Sequence, residues 1–160
     1  MLKRFLYRVL KRLVPICFNS LNLLLVGNLP PLGSVCVIAE DKGRFLLLKR
    51  PRGGMVFPGG FIRWREYPAE AALREFREET GLEVRLSDVT GMYASKSARM
   101  YRVSSLTIAF AGEVVGGGLR GGVEGNPCWL DEFEMRELLG KHDLNMLEDY
   151  FAYRERREQG

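Results

Sequence analysis

The chain has 160 residues, of which 46% are hydrophobic and 28% charged. This balance is ordinary for a globular protein with one buried core, and it excludes a disordered or collagen-like chain. The net charge of +4 at pH 7 is a mild basic excess that would favour anionic substrates. The cysteines show no C-x-x-C spacing, which argues against a disulfide framework or a zinc site and predicts a reducing, cytoplasmic setting; they are Cys17, Cys36 and Cys128.

The first segment, residues 1–13, is predicted to be a basic amphipathic helix, because its apolar and basic residues separate onto two sides at helical spacing. The apolar side holds Leu2, Phe5, Leu6, Val9, Leu10 and Leu13, and the basic side holds Lys3, Arg4, Arg8, Lys11 and Arg12. Such a helix can lie on an anionic membrane surface, which would make the protein peripheral on the inner face of a membrane. It can equally dock on its own domain or on a second subunit of a homodimer, and both interpretations stay open.

The segment that follows is apolar, but polar residues and a proline interrupt it: Pro15, Asn19, Ser20 and Asn22. It falls short of the ~20 apolar residues that a membrane-spanning helix needs. No convincing small-residue cleavage site of a signal peptide follows it. Residues 1–30 are therefore predicted to form a helix and linker, and residues 31–160 the folded domain.

The domain is predicted to alternate strands and helices. Ser34–Glu40 and Arg44–Arg50 flank a tight turn and form a hairpin. The later strands cover Glu83–Ala94, Val103–Val115 and Asn126–Leu130, with a glycine-rich, mobile loop at Gly116–Gly125. The last two helices are predicted to begin with capping carboxylates, Asp131 for a helix reaching about Leu139 and Asp143 for one ending near Arg156.

A helix between Pro68 and Gly81 is the most informative element. Pro68 suits the first helical position and Gly81 the position just after the end. At 100° per residue, three carboxylates share one side, Glu75, Glu78 and Glu79, and an apolar stripe holds Ala69, Ala72, Leu73 and Phe76. Like charges at this spacing repel, and a hard cation such as Mg²⁺ or Mn²⁺ would remove the repulsion. A solvated acidic side with Arg74 ion pairs is the alternative, and spacing alone leaves both open.

The chain from Gly60 to Leu82 resembles the Nudix box, G-x5-E-x7-R-E-U-x-E-E-x-G-U, in which U is a bulky apolar residue. Every specified position matches, and Phe76 is a less common choice for U. The run Phe57-Pro-Gly-Gly60 and the later Trp129 extend the resemblance to about Ser34–Leu139. The resemblance implies an α/β fold, the Nudix α/β/α sandwich with a mixed sheet.

The resemblance also implies a Mg²⁺- or Mn²⁺-dependent pyrophosphohydrolase that cleaves the diphosphate linkage of a nucleoside diphosphate derivative. The implied metal ligands are the carbonyl of Gly59 and the carboxylates of Glu75, Glu78 and Glu79. Arg74 is expected to orient these glutamates, Glu66 to steer the cluster, and Glu124 to supply a further carboxylate from the loop before Trp129.

The substrate is expected to be a small nucleotide, and the candidate contacts are Arg44, Arg50, Tyr101 and Arg120. Nucleoside triphosphates, ADP-ribose and nucleotide sugars all stay open; Ala98 stands roughly where ADP-ribose hydrolases carry a proline. No nucleic-acid partner is expected, because no helix-turn-helix or basic recognition element is evident. A nucleotide-sensing module without activity is the alternative function, and the complete set of box glutamates argues against it.

Overall fold

The structure, a computed structural model, describes residues 2–51, 53–97, 99–122 and 124–159; at the start of the first helix, up to residue 12, it describes only the side chain of Val9. Helices and strands follow one another along the described chain. The helices are α1 (Leu2–Leu24), α2 (Pro68–Thr80), α3 (Glu132–Leu138) and α4 (Lys141–Glu158). The strands are β1 (Leu32–Asp41), β2 (Arg44–Lys49), β3 (Met55–Val56), β4 (Gly59–Phe61), β5 (Leu82–Ser95), β6 (Ser105–Gly117) and β7 (Asn126–Asp131).

Strand β1 is the centre of a mixed sheet. The strand order is β3-β2-β1-β6-β5, with β4 paired to β1 and β7 paired to β2. The β1–β6 pairing is parallel and starts with Leu32 opposite Ser105, whereas the other pairings are antiparallel. The predicted hairpin is confirmed, since Asp41 of β1 lies opposite Arg44 of β2.

Helices cover both faces of this sheet. Successive residues of a strand point to opposite faces, and β1 uses both. Val37 packs with Phe76 of α2 in one core, while Ile38 packs with Met135 of α3 and Leu147 of α4 in the other. These layers confirm the predicted α/β/α sandwich.

Helix α2 begins and ends where the sequence predicts. Pro68 is its first residue. Tyr67 precedes it in an extended conformation, and its backbone N–H donates to Glu70 at 3.0 Å. Gly81 follows the last residue with a φ of 75°, a left-handed conformation that glycine adopts without strain. Its N–H donates to the carbonyl of Arg77 at 2.9 Å and so closes the helix.

The side of α2 that meets the sheet differs from the predicted stripe. Ala72 and Phe76 are buried as predicted, whereas Ala69 and Leu73 are exposed. Helical spacing gives the angles between residues, but it does not give the rotation of the helix about its own axis. Glu79 is only 5% exposed, so the carboxylate side and the core side of α2 overlap.

Of the two N-caps predicted for the last helices, one is confirmed and one is wrong. Asp131 caps α3 as predicted, because its carboxylate accepts the backbone N–H of Glu134 at 2.8 Å. The predicted cap of the following helix is wrong, since α4 begins at Lys141 with Gly140 as its N-cap. Asp143 lies in the first turn instead, where a carboxylate still interacts favourably with the helix dipole.

Helix α1 is longer than the predicted residues 1–13. It passes through Pro15 and ends at Leu24. The Asn19 side-chain amide donates to the carbonyls of Met100 and Arg102, at 2.9 Å each, and so attaches α1 to the loop between β5 and β6. Within the described residues, no helix combines the length and the apolar character needed to cross a membrane.

Candidate active site

Two glycines of β4, Gly59 and Gly60, allow close packing at the site. Strand β4 pairs with β1 so that Gly59 lies opposite Cys36 and Gly60 opposite Val35. A Cβ atom on Gly59 would lie 2.1 Å from the Val35 carbonyl oxygen, and one on Gly60 would lie 2.4 Å from the carboxyl carbon of Glu75. Neither position admits a side chain, so the backbone of β4 lies close against β1 at Gly59 and against Glu75 of α2 at Gly60.

Arg74 joins the carboxylates around these glycines. Its Nε and Nη2 atoms donate to the two oxygens of Glu66 at 2.6 and 2.8 Å. Its Nη1 atom donates to Glu75 at 2.6 Å and lies 3.6 Å from an oxygen of Glu78. The Nη2 atom also donates to the carbonyl of Phe61 at 3.2 Å, which connects α2 to β4.

This pairing changes the acidity of both partners. The hydrogen bonds from Arg74 lower the pKa of Glu66 to about 2, and the bonds to Glu66 raise the pKa of Arg74 above its usual value. The backbone N–H of Arg63 also donates to Glu66, at 2.8 Å. Glu66 therefore stays a carboxylate at neutral pH and is poorly suited to accept a proton.

The three predicted carboxylate ligands of the metal range from buried to exposed. Glu79 is buried, and its Oε2 atom accepts the backbone N–H of Gly59 at 2.8 Å. The side chain of Glu75 is 17% exposed. Glu78 is the open one: its side chain is 52% exposed and lies 3.3 Å from the guanidinium of Arg63.

The carboxylate and carbonyl oxygens at this site are of the type that binds a divalent cation, although they do not converge on one point. Among the described residues, no three acidic, histidine or cysteine side chains converge well enough to hold a metal ion. Arg74 and Arg63 balance the carboxylate charge instead. Carboxylate and carbonyl oxygens are the ligands that Mg²⁺ prefers, and the exposed Glu78 can turn toward Glu75, which is its neighbour at i,i+3 spacing.

The glycine-rich loop after β6 lies against the end of α2 that carries the glutamates. The backbone N–H of Arg120 donates to the carbonyl of Thr80 at 2.8 Å. A Cβ atom on Gly122 would be 3.7 Å from the carbonyl oxygen of Glu78. Glu124 follows, half-buried, and burial raises the pKa of its carboxyl. Gly122 therefore lies against the end of α2, two residues before Glu124, and Val123 between them lies outside the described residues.

The predicted substrate arginines of the hairpin lie at different ends of β2. Arg50 comes just after β2, and a Cβ atom on Gly125 would be 3.6 Å from its Cα atom, so it neighbours the loop of Glu124. Arg44 lies opposite Asp41 at the far end of β1. Asp41 is five positions along β1 from Cys36, the partner of Gly59, a distance of about 16 Å. The structure thus does not bring Arg44 to the box glutamates.

The two other predicted substrate residues lie in loops. Tyr101 is 52% exposed, and the guanidinium of Arg99 is 5.9 Å from its ring centroid. Arg120 packs its aliphatic part on Gly81, where a Cβ atom would lie 2.4 Å from the arginine Cγ atom. Ala98, the position compared with the ADP-ribose hydrolases, lies outside the described residues.

Sequence reasoning missed Arg63 and the carbonyl of Phe61. Arg63 contacts both Glu66 and Glu78, and Phe61 accepts from Arg74. Phe61 is the last residue of β4, and Arg63 follows it in an irregular segment, where no periodicity relates a residue to the helix. The three-residue spacing from Arg63 to Glu66 was the one available signal, because it is typical of a local turn contact.

Known proteins are similar to this chain over most of its length. The model of the NUDIX domain matches residues 29–152. An ADP-ribose pyrophosphatase of Methanocaldococcus jannaschii is 31% identical over 131 residues, 79% of this chain and 76% of that protein. A putative 8-oxo-dGTP diphosphatase of Bacillus subtilis is 42% identical over 59 residues, 37% of each. A solved NUDIX hydrolase from Nitrosomonas europaea has a TM-score of 0.69 and 25% identity, covering 77% of this chain and 90% of that one.

Proposed function

This chain belongs to the NUDIX domain family of pyrophosphohydrolases, and from that premise we propose that it hydrolyses the diphosphate linkage of a small nucleoside diphosphate derivative with Mg²⁺. Mn²⁺ is the alternative cation. The observation that carries the proposal is the Arg74 network, which gathers Glu66, Glu75 and Glu78 beside Gly59 and Gly60. A carboxylate cluster held this way has the charge and the hard oxygen donors that a cation and a diphosphate require together.

Each carboxylate has a proposed role. Glu75, Glu78 and Glu79 hold the cation, together with the carbonyl of Gly59. A divalent cation, when bound, neutralises phosphate oxygens and acidifies a bound water. Glu66 keeps Arg74 in place, since its two oxygens take both donors of the guanidinium fork.

Glu124 is the proposed further carboxylate. Support for this role comes from Gly122 of the same loop, which lies against the end of α2, and from burial, which raises the pKa of Glu124. A carboxylate with a raised pKa is a better proton acceptor at neutral pH than one with a lowered pKa. Glu124 therefore suits the role of general base better than Glu66, whose pKa is lowered to about 2.

ADP-ribose is the substrate that we propose to test first. The Methanocaldococcus jannaschii relative named for this activity covers most of both chains. The relative named for 8-oxo-dGTP matches a much shorter part, so nucleoside triphosphates come second and nucleotide sugars third. We also infer that residues 31–160 form the catalytic unit, because the family match begins at residue 29.

The test is a screen of the full chain for product release from ADP-ribose, nucleoside triphosphates and nucleotide sugars, with Mg²⁺, with Mn²⁺ and with a chelator. We expect one substrate class to be cleaved at its diphosphate only when a cation is present. The Glu78→Gln variant should lose at least about a hundredfold in turnover, because it removes a central charged group. Glu137→Gln is the matched control, since Glu137 is exposed on α3 away from the site.

Two results would contradict the proposal. Near-normal turnover of Glu78→Gln would overturn the metal assignment. Saturable binding of a nucleotide without cleavage in either metal would instead support the alternative function, a nucleotide-sensing module. The complete set of box glutamates favours the enzyme over that alternative.

A further inference from the structure

Helix α1 is attached to the rest of the chain by hydrogen bonds of two asparagines, Asn19 and Asn22. Asn19 donates to carbonyls of the β5–β6 loop, and the side-chain oxygen of Asn22 accepts the backbone N–H of Leu29 at 2.9 Å. The residues of α1 after residue 13 that are partly covered are Pro15, Phe18, Asn19 and Asn22. At 100° per residue these four fall within one stripe about 100° wide, so the side that holds the two asparagines, together with Pro15 and Phe18, is the docked side.

After residue 13, the opposite side of α1 is exposed and mostly apolar, with Ser20 among its leucines; Val9, earlier on the same side, is partly covered. Its exposed residues are Leu13 at 51%, Val14 at 55%, Ile16 at 40%, Leu21 at 49%, Leu23 at 76% and Leu24 at 79%. The turn after the helix continues this surface with Leu25 and Val26. An amphipathic helix of a globular protein normally turns its apolar stripe toward the core. In α1 the apolar stripe faces away from the domain instead. Large exposed apolar surfaces of this kind mark interaction sites.

Charge is also distributed unevenly along the chain. Residues 1–39 contain five of the 24 Lys and Arg residues and none of the 20 Asp and Glu residues. The rest of the chain therefore carries one more carboxylate than cations. The segment that contains α1 is strongly cationic, and the domain behind it does not share that charge.

We propose that the exposed apolar side of α1 docks in the plane of an anionic lipid surface. A lipid surface supplies acyl chains for the leucines and negative headgroups for the cations of the same segment. A second copy of the chain is a less suitable partner for this side. Packing two such helices together would bring two cationic segments close to each other, and residues 1–39 of either copy contain no carboxylate that could balance the charge. The catalytic domain, held by Asn19 on the other side of α1, stays in water.

The test measures co-sedimentation of the full chain with phosphatidylcholine vesicles, with and without phosphatidylglycerol. We expect binding to the vesicles that contain the anionic lipid, and less binding as salt rises, since salt screens the attraction. The double variant Leu21→Glu with Leu24→Glu should partition about a hundredfold more weakly, because burial of each leucine contributes roughly tenfold. Both positions are exposed, so circular dichroism and nucleotide hydrolysis should match the wild type.

The matched control is the double variant Phe133→Glu with Leu138→Glu, which removes two exposed apolar residues from α3. It should bind vesicles like the wild type. Equal sedimentation with both vesicle types, or unchanged binding of the α1 variant, would overturn the proposal. The proposal would also be overturned if light scattering without vesicles showed a dimer of the wild type and a monomer of the α1 variant. The apolar side would then be a subunit interface.

Discussion

Arg74 and Glu66 form two parallel hydrogen bonds, from Nε and Nη2 to the two carboxylate oxygens, at 2.6 and 2.8 Å. Their side chains are 16% and 14% exposed, so the pair is largely shielded from water. Since the third guanidinium nitrogen donates to Glu75, the pair sets the orientation of a proposed metal ligand. Charge-assisted bidentate pairs are among the strongest side-chain contacts.

The first prediction concerns the shape of the Arg74 side chain. Arg74→Lys keeps the charge but cannot form two bonds to Glu66 and a third to Glu75. We expect kcat/KM to fall about tenfold to a hundredfold, the usual effect of removing a group that orients a metal ligand. Steady-state kinetics at saturating Mg²⁺ measures this. Arg77→Lys, an exposed position on the same helix, should keep its activity, and equal losses in both variants would contradict the assigned role.

The second prediction concerns pH and stability. The pKa of Glu66 is lowered from 4.5 to about 2 in the folded protein. The ion pair of Glu66 therefore contributes its full stabilisation when the pH is above 4.5, the pKa of the unfolded chain. This contribution is lost as the pH falls from about 4.5 to about 2. Urea unfolding in the presence of a chelator should show Glu66→Gln less stable than the wild type at neutral pH, with the gap closing in acid. A gap that is constant over this range would show that the ion pair is not its cause.

The third prediction concerns the space at Gly60. A Cβ atom there would lie 2.4 Å from the carboxyl carbon of Glu75, so Gly60→Ala must displace that carboxylate. We expect activity to fall by about tenfold to a hundredfold, because small displacements of catalytic groups are costly. Gly118→Ala is the control, since nothing lies within 4 Å of a Cβ atom at that position. Kinetics and thermal melts of the two variants, run side by side, separate a local effect from unfolding.

The fourth prediction concerns cysteine reactivity. Cys17 is exposed, Cys128 is partly covered and Cys36 is buried. Burial raises the pKa of the Cys36 thiol to about 12, which leaves almost no reactive thiolate near neutral pH. Mass spectrometry after iodoacetamide treatment should find Cys17 modified first and Cys36 modified only in urea. Rapid modification of Cys36 in the native protein would contradict the packing of β1 against α4.

The limits of α2 were predictable because they depend on local chemistry. Pro68 and Gly81 each act through their own backbone, so their positions in the sequence are sufficient. The rotation of α2 was not predictable, since it depends on partners distant in sequence. Glu79 faces inward because the Gly59 N–H meets its carboxylate, and Leu73 is consequently turned outward.

The same distinction holds for the candidate site and for α1. The fixed spacing of the box glutamates identified them, whereas the contact of Arg63 with Glu78 depends on how an irregular segment folds back. The continuation of α1 through Pro15 was missed because a proline inside a helix is usually unfavourable. Asn19, which attaches that helix, has its partners 81 and 83 residues away.

The parallel pairing of β1 with β6 has a consequence for how the protein is made. Leu32 of β1 pairs with Ser105 of β6. Helix α2, which carries the clustered glutamates, lies between these two strands in the chain. During synthesis the box therefore leaves the ribosome before β6, the parallel partner of β1. Pairings over such long separations form slowly, so the sheet on which α2 packs is completed late. A nascent chain that stops before β6 would carry every box residue but lack the parallel partner of β1.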